Sequence, residues 1–156
     1  MLSSLPVECP PGLLEKARKL PRMKVAVVNP VSSVVLDSVA DAHDQELIEP
    51  LLVGPADSIR AACESHGSDA AQFEIADTRS AEAAARAAAT LAAAGNVGAI
   101  MKGDVKTSAL MKAALDKSAG LRTERLMSHV FQMTMPGSDE ALFITDAVLN
   151  VQPTLE

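Results

Sequence analysis

With 156 residues, 48% of them hydrophobic, and a mean hydropathy of +0.16, the chain has the length of one ordinary domain and enough apolar material for a core. A net charge of −6 and a pI near 5.0 argue against a broad nucleic-acid or anionic-membrane surface. Trp and Tyr are absent, so Phe73, Phe131 and Phe143 are the only rings available for stacking on nucleobases.

The opening MLSSLPVECPPG carries no charged segment followed by an apolar run, and no stretch approaches the roughly 18 apolar residues of a membrane span. Residues 1–12 read as a tail. Cys9 lies in that tail and Cys63 in a predicted helix, outside any CxxC pattern, which predicts reduced thiols and a cytoplasmic protein with neither a disulfide framework nor a zinc site.

Leu13, Leu14, Ala17 and Leu20 recur at helical spacing up to Pro21 and predict a short first helix. Met23 to Val28 is an apolar, β-branched run stopped by Asn29-Pro30, the pattern of a buried parallel strand with its functional end at Asn29. A helix follows, with Val35, Leu36, Val39, Ala40 and His43 on one stripe, His43 at the core margin, and Ser32 or Ser33 as cap. Ile48 to Val53 repeats the strand pattern and closes at Gly54-Pro55. Ala56 to Ser65 is a helix ending near Gly67, and Gln72 to Ala76 a weaker strand.

Ser80 to Ala94 is rich in alanine, the best helix former, and Gly95 supplies the stop, so the segment predicts a closely packed helix. Val97 to Met101 is a further buried strand broken by Lys102-Gly103, and Thr107 to Leu115 a helix with Leu110, Met111, Ala114 and Leu115 inward. From Ser128 the period changes to two: His129, Phe131, Met133 and Met135 alternate with Val130, Gln132 and Thr134, which predicts a half-buried strand. The turn cluster Pro136 to Glu140 and the return strand Ala141 to Thr145 complete a hairpin. The fold class is therefore α/β, a mostly parallel sheet with helices on both faces and a hairpin near the C-terminus.

Chemistry concentrates in the stretch from Met101 to Ser108, between a buried strand and a helix. Ligands of open α/β sheets collect at the carboxyl ends of strands, and a helix N-terminus there offers unpaired N–H groups suited to a phosphate. Gly103 would let backbone approach closely, Lys102 and Lys106 add charge, and Thr107 and Ser108 cap the helix or bind an oxygen. From Lys102 to Arg125, six basic residues against three acidic ones make a local balance of +3 within a chain of −6. The bland reading is a set of solvated lysines and an ordinary N-cap. Neither G-x-x-x-x-G-K nor G-x-G-x-x-G occurs. Ser128-His129 at one strand start and Asp146 at one strand end could face a common cleft, and Asn150 could orient a ligand or close a turn.

Lys102-Gly103, Lys106 to Met111, Gly120 to Arg125, Ser128 to Phe131 and Ile144 to Ala147 with Asn150, in this order, resemble the phosphate acetyl/butyryltransferase family. The resemblance runs from about Leu13 to Glu156. It is strongest to the phosphate acetyltransferase part of proteins that also carry an enoyl-CoA hydratase domain. It implies an isocitrate/isopropylmalate-dehydrogenase-like fold, a homodimer, and transfer of a short acyl group between coenzyme A, as substrate, and inorganic phosphate, with no metal or other cofactor. It further implies that Lys102, Gly103, Lys106, Thr107, Ser108 and Lys112 contact phosphate and that Ser128, Asp146 and Asn150 line the cleft. The chain departs from the acetate-type pattern in having Lys106-Thr107-Ser108 for His-Ser-Thr, Lys112 for Arg and Asp146-Ala147 for Asp-Cys. Lys is a point charge where Arg is a bidentate fork.

By the same resemblance residues 13–156 correspond to an N-terminal half, with the main proton acceptor after Glu156. The end at Pro153-Thr154-Leu155-Glu156 reads as a helix start, so the chain alone is expected to be weak or inactive. The reading from another class is a non-catalytic module that binds acyl phosphate or coenzyme A or serves dimerisation.

Overall fold

The computed structural model describes residues 9–125, 127–134 and 141–146. These fall into two compact units: Arg18–Arg122, and the described residues before Arg18 together with those from Thr123 onward.

The larger unit is a parallel sheet of four strands, β1 (Met23–Val28), β2 (Ile48–Gly54), β3 (Glu74–Asp77) and β4 (Ala99–Lys102), in the order β3-β2-β1-β4. β1 registers Met23 to Ile48 and Val28 to Val53 on one side, and Val25 to Ala99 and Val28 to Lys102 on the other. β1 and β2 are central and read as continuous buried runs, as strands covered on both faces must. The edge strands β3 and β4 are shorter and half-buried.

Alternation along β1 divides the core. Val25 and Val27, with Leu52, pack under α2 (Ser33–Asp44) and α3 (Ala56–His66) through Leu36, Val39, Ile59 and Cys63. Ala26 and Val28, with Leu51 and Val53, face α4 (Ala81–Ala93) and α5 (Thr107–Leu115). The winding runs outward from β1 to β3 and then reverses to β4. Crossovers of one hand place helices on opposite faces when the direction of winding reverses. In α4, Ala84, Ala85, Ala88 and Ala89 are all at 0% exposure, so the expected close approach of helix to sheet is realised with methyl groups.

Several expected boundaries shift. The first helix, α1, is Pro11–Ala17 and stops short of Leu20, which is 69% exposed. The weaker strand starts two residues late, because Ala70–Gln72 forms a 3-10 turn whose Asp69 carboxylate accepts from the Ala71 amide. β4 begins at Ala99 and includes Lys102, although Val97 ahead of it is buried in the core. In α5 the inward residue is Ala113, with Ala109 and Leu110 packed beside it, while Leu115 is exposed. The helix approaches α4 through alanines, and a large side chain at the last position falls off that face.

In the smaller unit β5 (Val130–Thr134) pairs antiparallel with β6 (Ala141–Thr145), Val130 opposite Thr145 and Thr134 opposite Ala141. Its strands are not half-buried as the period-two pattern predicts. Phe131 and Met133 on one alternation and Val130 on the other are all exposed, as are Leu142 and Phe143. A two-stranded ribbon has no layer of its own to cover either face. Ser128 and His129 precede the strand instead of starting it. Met135, the turn Pro136 to Glu140, and residues 147–156, including Ala147 and the helix-start signals, lie outside the described residues.

Candidate functional site

Four helices of the larger unit begin at the carboxyl edge of the sheet, and their N-termini differ in what meets the unpaired N–H groups there. Before α2, the residue in the capping position is Ser32, but its side chain makes no capping bond. Asp104, after the neighbouring strand β4, binds the backbone leading into the helix instead: its Oδ2 accepts from the amides of Val31 at 3.0 Å and Ser32 at 2.8 Å. At α3 the capping position is Pro55, and Asp77 at the end of β3 accepts from the Ala56 amide at 2.9 Å through Oδ1. Each outer strand thus supplies an aspartate to the helix that follows its inner neighbour. α4 has a local cap, the Ser80 hydroxyl accepting from the Ala83 amide, with Glu82 in its first turn. Bonds to the Glu82 amide and to Ser80, and the charges of Arg86 and Lys106, hold the Glu82 carboxyl below the usual range.

α5 is the exception. Its capping position is Lys106, no side chain caps it, and its first turn holds no acidic residue. The positive end of this helix dipole is therefore joined by cations, with Glu82 of α4 within electrostatic reach of Lys106 but no carboxylate in the helix's own first turn. Lys102 and Lys106 are exposed, as are Thr107 and Ser108, and the Lys102 ammonium donates to the Gly103 carbonyl at 3.2 Å. These residues share one loop at the sheet's topological switch point, where β4 lies beside β1 although the chain reaches it last.

Gly103 does allow a close backbone approach, to the end of β1. A Cβ there would lie 2.3 Å from the Val28 carbonyl oxygen and 3.0 Å from that of Asn29, so its bareness lets the loop pass the end of β1. Asn29 is held in the left-handed region at φ 51. Lys112 is not brought to this loop. It sits in the last turn of α5, about 7.5 Å along the axis from Thr107, and its charge helps lower the Asp116 carboxyl, after the larger effect of bonds from Ser118.

Ser128 and Asp146 belong to the smaller unit. Asp146, at φ 53, donates its amide to the His129 carbonyl at 2.7 Å, so both predicted residues stand at one end of the hairpin. Ser128 is exposed, and the His129 ring packs edge-on to Phe131 with centroids 4.1 Å apart. Asn150 lies outside the described residues. Among the described residues no group of three or more His, Cys, Asp or Glu is placed to hold a metal ion, and no helix is long and apolar enough to cross a membrane.

A concavity of the larger unit, about 640 Å³, is lined by Arg60, Glu64, Ser68, Asp69 and Phe73 among others. Those from Ser68 to Phe73 precede β3, which puts the concavity toward the amino edge of the sheet, away from the lysine loop. Asp104 and Asp77 are the site-shaping residues that local reasoning missed. Each is visible only as an acidic residue at a strand's end, and the helix it caps is not the next one in sequence.

The larger unit is a doubly wound parallel α/β sheet with one cation-rich, uncapped helix at its carboxyl edge. Residues 79–156, half of the chain, match the family described as Phosphate acetyl/butaryl transferase, and the chain belongs to that family. It is 37% identical over 145 residues to a phosphate acetyltransferase of Rickettsia prowazekii, which covers 93% of this chain and 41% of the relative. A phosphate butyryltransferase of Clostridium beijerinckii is 33% identical over 141 residues, covering 90% of this chain and 47% of its own length. The chain thus spans less than half the length of these curated relatives. In fold it is similar to a crystal structure of a branched-chain phosphotransacylase from Enterococcus faecalis, with a TM-score of 0.67 at 19% identity over 85% of this chain and 45% of that one.

Proposed function

We propose that this chain supplies the phosphate-holding part of a cytoplasmic phosphate acyltransferase, which moves a short acyl group between coenzyme A and inorganic phosphate. The observation that carries this reading is the N-terminus of α5. Of the helices starting at the sheet's carboxyl edge, it alone among the described residues has neither a capping side chain nor a carboxylate bonded at its start, and it opens on Lys106. In the forward direction the coenzyme A thiolate, its proton already lost, attacks the acyl carbonyl of an acyl phosphate. The C–S bond forms, the C–O bond breaks, and phosphate leaves with the electron pair. Lys102, Lys106 and the amides and hydroxyls of Thr107 and Ser108 hold the phosphate and stabilise its growing charge. Ser128, Asp146 and Asn150 are assigned to the acyl and coenzyme side, Lys112 to a longer-range charge, and the working protein is read as a homodimer. Family membership supports the reaction class, and no residue here distinguishes an acetyl from a butyryl group.

The test is calorimetric titration of acetyl phosphate and of coenzyme A into the chain and its Lys106→Ala variant. Loss of a charge-assisted contact of about 1.5–3 kcal/mol predicts at least a roughly tenfold weaker Kd for acetyl phosphate. An unchanged Kd removes Lys106 from the site. Acyl phosphate formation from acyl-CoA, followed in protein of the relatives' full length, then separates an enzyme from a module that only binds.

A further inference from the structure

The loop carrying Lys102 to Ser108 is tied down at one residue. The Asp104 amide donates to the Asn29 carbonyl at 2.9 Å, and the Asp104 carbonyl accepts from the Asn29 side chain at 2.8 Å. Its carboxylate, as described, accepts from the amides of Val31 and Ser32 at the start of α2. Lys106, Thr107 and Ser108 follow within four positions of this anchor.

A carboxylate so near a phosphate site is, on charge alone, the wrong residue, because like charges disfavour each other at short range. Here both carboxylate bonds point away, to backbone amides at the positive end of a different helix, where an anion is favourable. We propose that Asp104 is a positioning residue for the phosphate site, a role resting on the reading of the lysine loop given above. By occupying the α2 terminus it fixes the loop against β1, so that the α5 amides and Lys106 meet phosphate already in place and no ordering cost falls on binding. It also fills with the chain's own charge the other helix end at the switch point, leaving α5 as the open one.

Charge and positioning predict opposite signs. Removing a negative charge beside an anion site tightens phosphate if charge is all that acts, whereas freeing the loop weakens it. Inorganic phosphate is titrated into the 156-residue chain and its Asp104→Ala, Asp104→Asn and Lys106→Ala variants, and amide hydrogen exchange is measured in parallel. Asp104→Ala is expected to weaken phosphate about tenfold despite the lost charge. Asp104→Asn, which keeps an acceptor oxygen for Val31 and Ser32, should bind as well as the parent or better. Exchange at Val31 and Ser32 should rise in the alanine variant and return in the asparagine variant, while Val27 and Leu52 stay slow in both. Equal or tighter phosphate in Asp104→Ala overturns the positioning role and leaves the site standing. If the alanine variant does not fold, Asp104→Asn decides: tighter phosphate with fast exchange at Val31 and Ser32 overturns the role, and parent-like binding with slow exchange supports it. Phosphate binding that is absent, or indifferent to Lys106→Ala, overturns the site itself and the role of Asp104 with it.

Discussion

Asn29 and Asp104, 75 positions apart, bond each other in both directions: the side-chain amide of Asn29 donates to the Asp104 carbonyl at 2.8 Å, and the Asp104 amide donates back to the Asn29 carbonyl at 2.9 Å. The pair joins the ends of β1 and β4 where the sheet changes direction, and it requires Asn29 at φ 51. Asparagine tolerates that conformation, while a β-branched residue does not. Asn29→Val should therefore cost about 1–2 kcal/mol for the backbone and about 1 kcal/mol more for the lost bond. Asn29→Gly should lose mainly the bond. Urea unfolding of the two variants checks this, and equal midpoints would show that the left-handed backbone imposes no selection.

Gly103→Ala places a methyl carbon 2.3 Å from the Val28 carbonyl oxygen, which is rigid strand backbone. The loop must move, at a cost on the order of 1–3 kcal/mol or more. Gly12→Ala, in α1 with nothing within 4 Å of the added carbon, is the control and should be neutral or slightly stabilising. Thermal unfolding of both variants decides it. A Gly103→Ala protein as stable as the parent would contradict the close passage of loop and strand.

The two cysteines should separate cleanly. Cys9 is exposed, whereas Cys63 is buried on the inner face of α3, and burial first, then the Asp69 charge, pushes its thiol pKa up. Thiol titration of the native chain is expected to register one fast-reacting group and, in denaturant, two. Modification of both at one rate before unfolding would place Cys63 outside the core.

Glu82 provides a pH signature. Its carboxyl is held low in the folded chain, chiefly by its own amide and Ser80. A lowered folded pKa contributes stability that is present above the ordinary carboxyl range and lost as pH falls through the lowered value. The unfolding temperature of Glu82→Gln should lie below that of the parent near neutral pH, and the gap should close on acidification. A gap that widens toward low pH would reverse the sign of the shift.

Local chemistry sufficed for much of this protein. The runs Met23 to Val28 and Ala141 to Thr145 are strands at the expected residues, and the alanine run is the tightly packed helix its composition predicts, because apolar run length and helix propensity act over a few positions. The family match falls on residues 79–156, the stretch that holds the ordered motifs from Lys102 to Asp146. The tertiary structure alone decided the sheet order, and with it everything that depends on β4 lying beside β1: the neighbour that requires Gly103 to be bare, the aspartate that neutralises α2 from 73 and 72 positions away, and the isolation of α5 as the uncapped helix. Leu115 belongs to the same class, turned out of the core although its spacing predicts it inward. The sheet order itself is made by strand-to-strand bonds between backbone groups, which every residue carries alike, so side-chain type along the chain holds almost no record of which strand lies beside which.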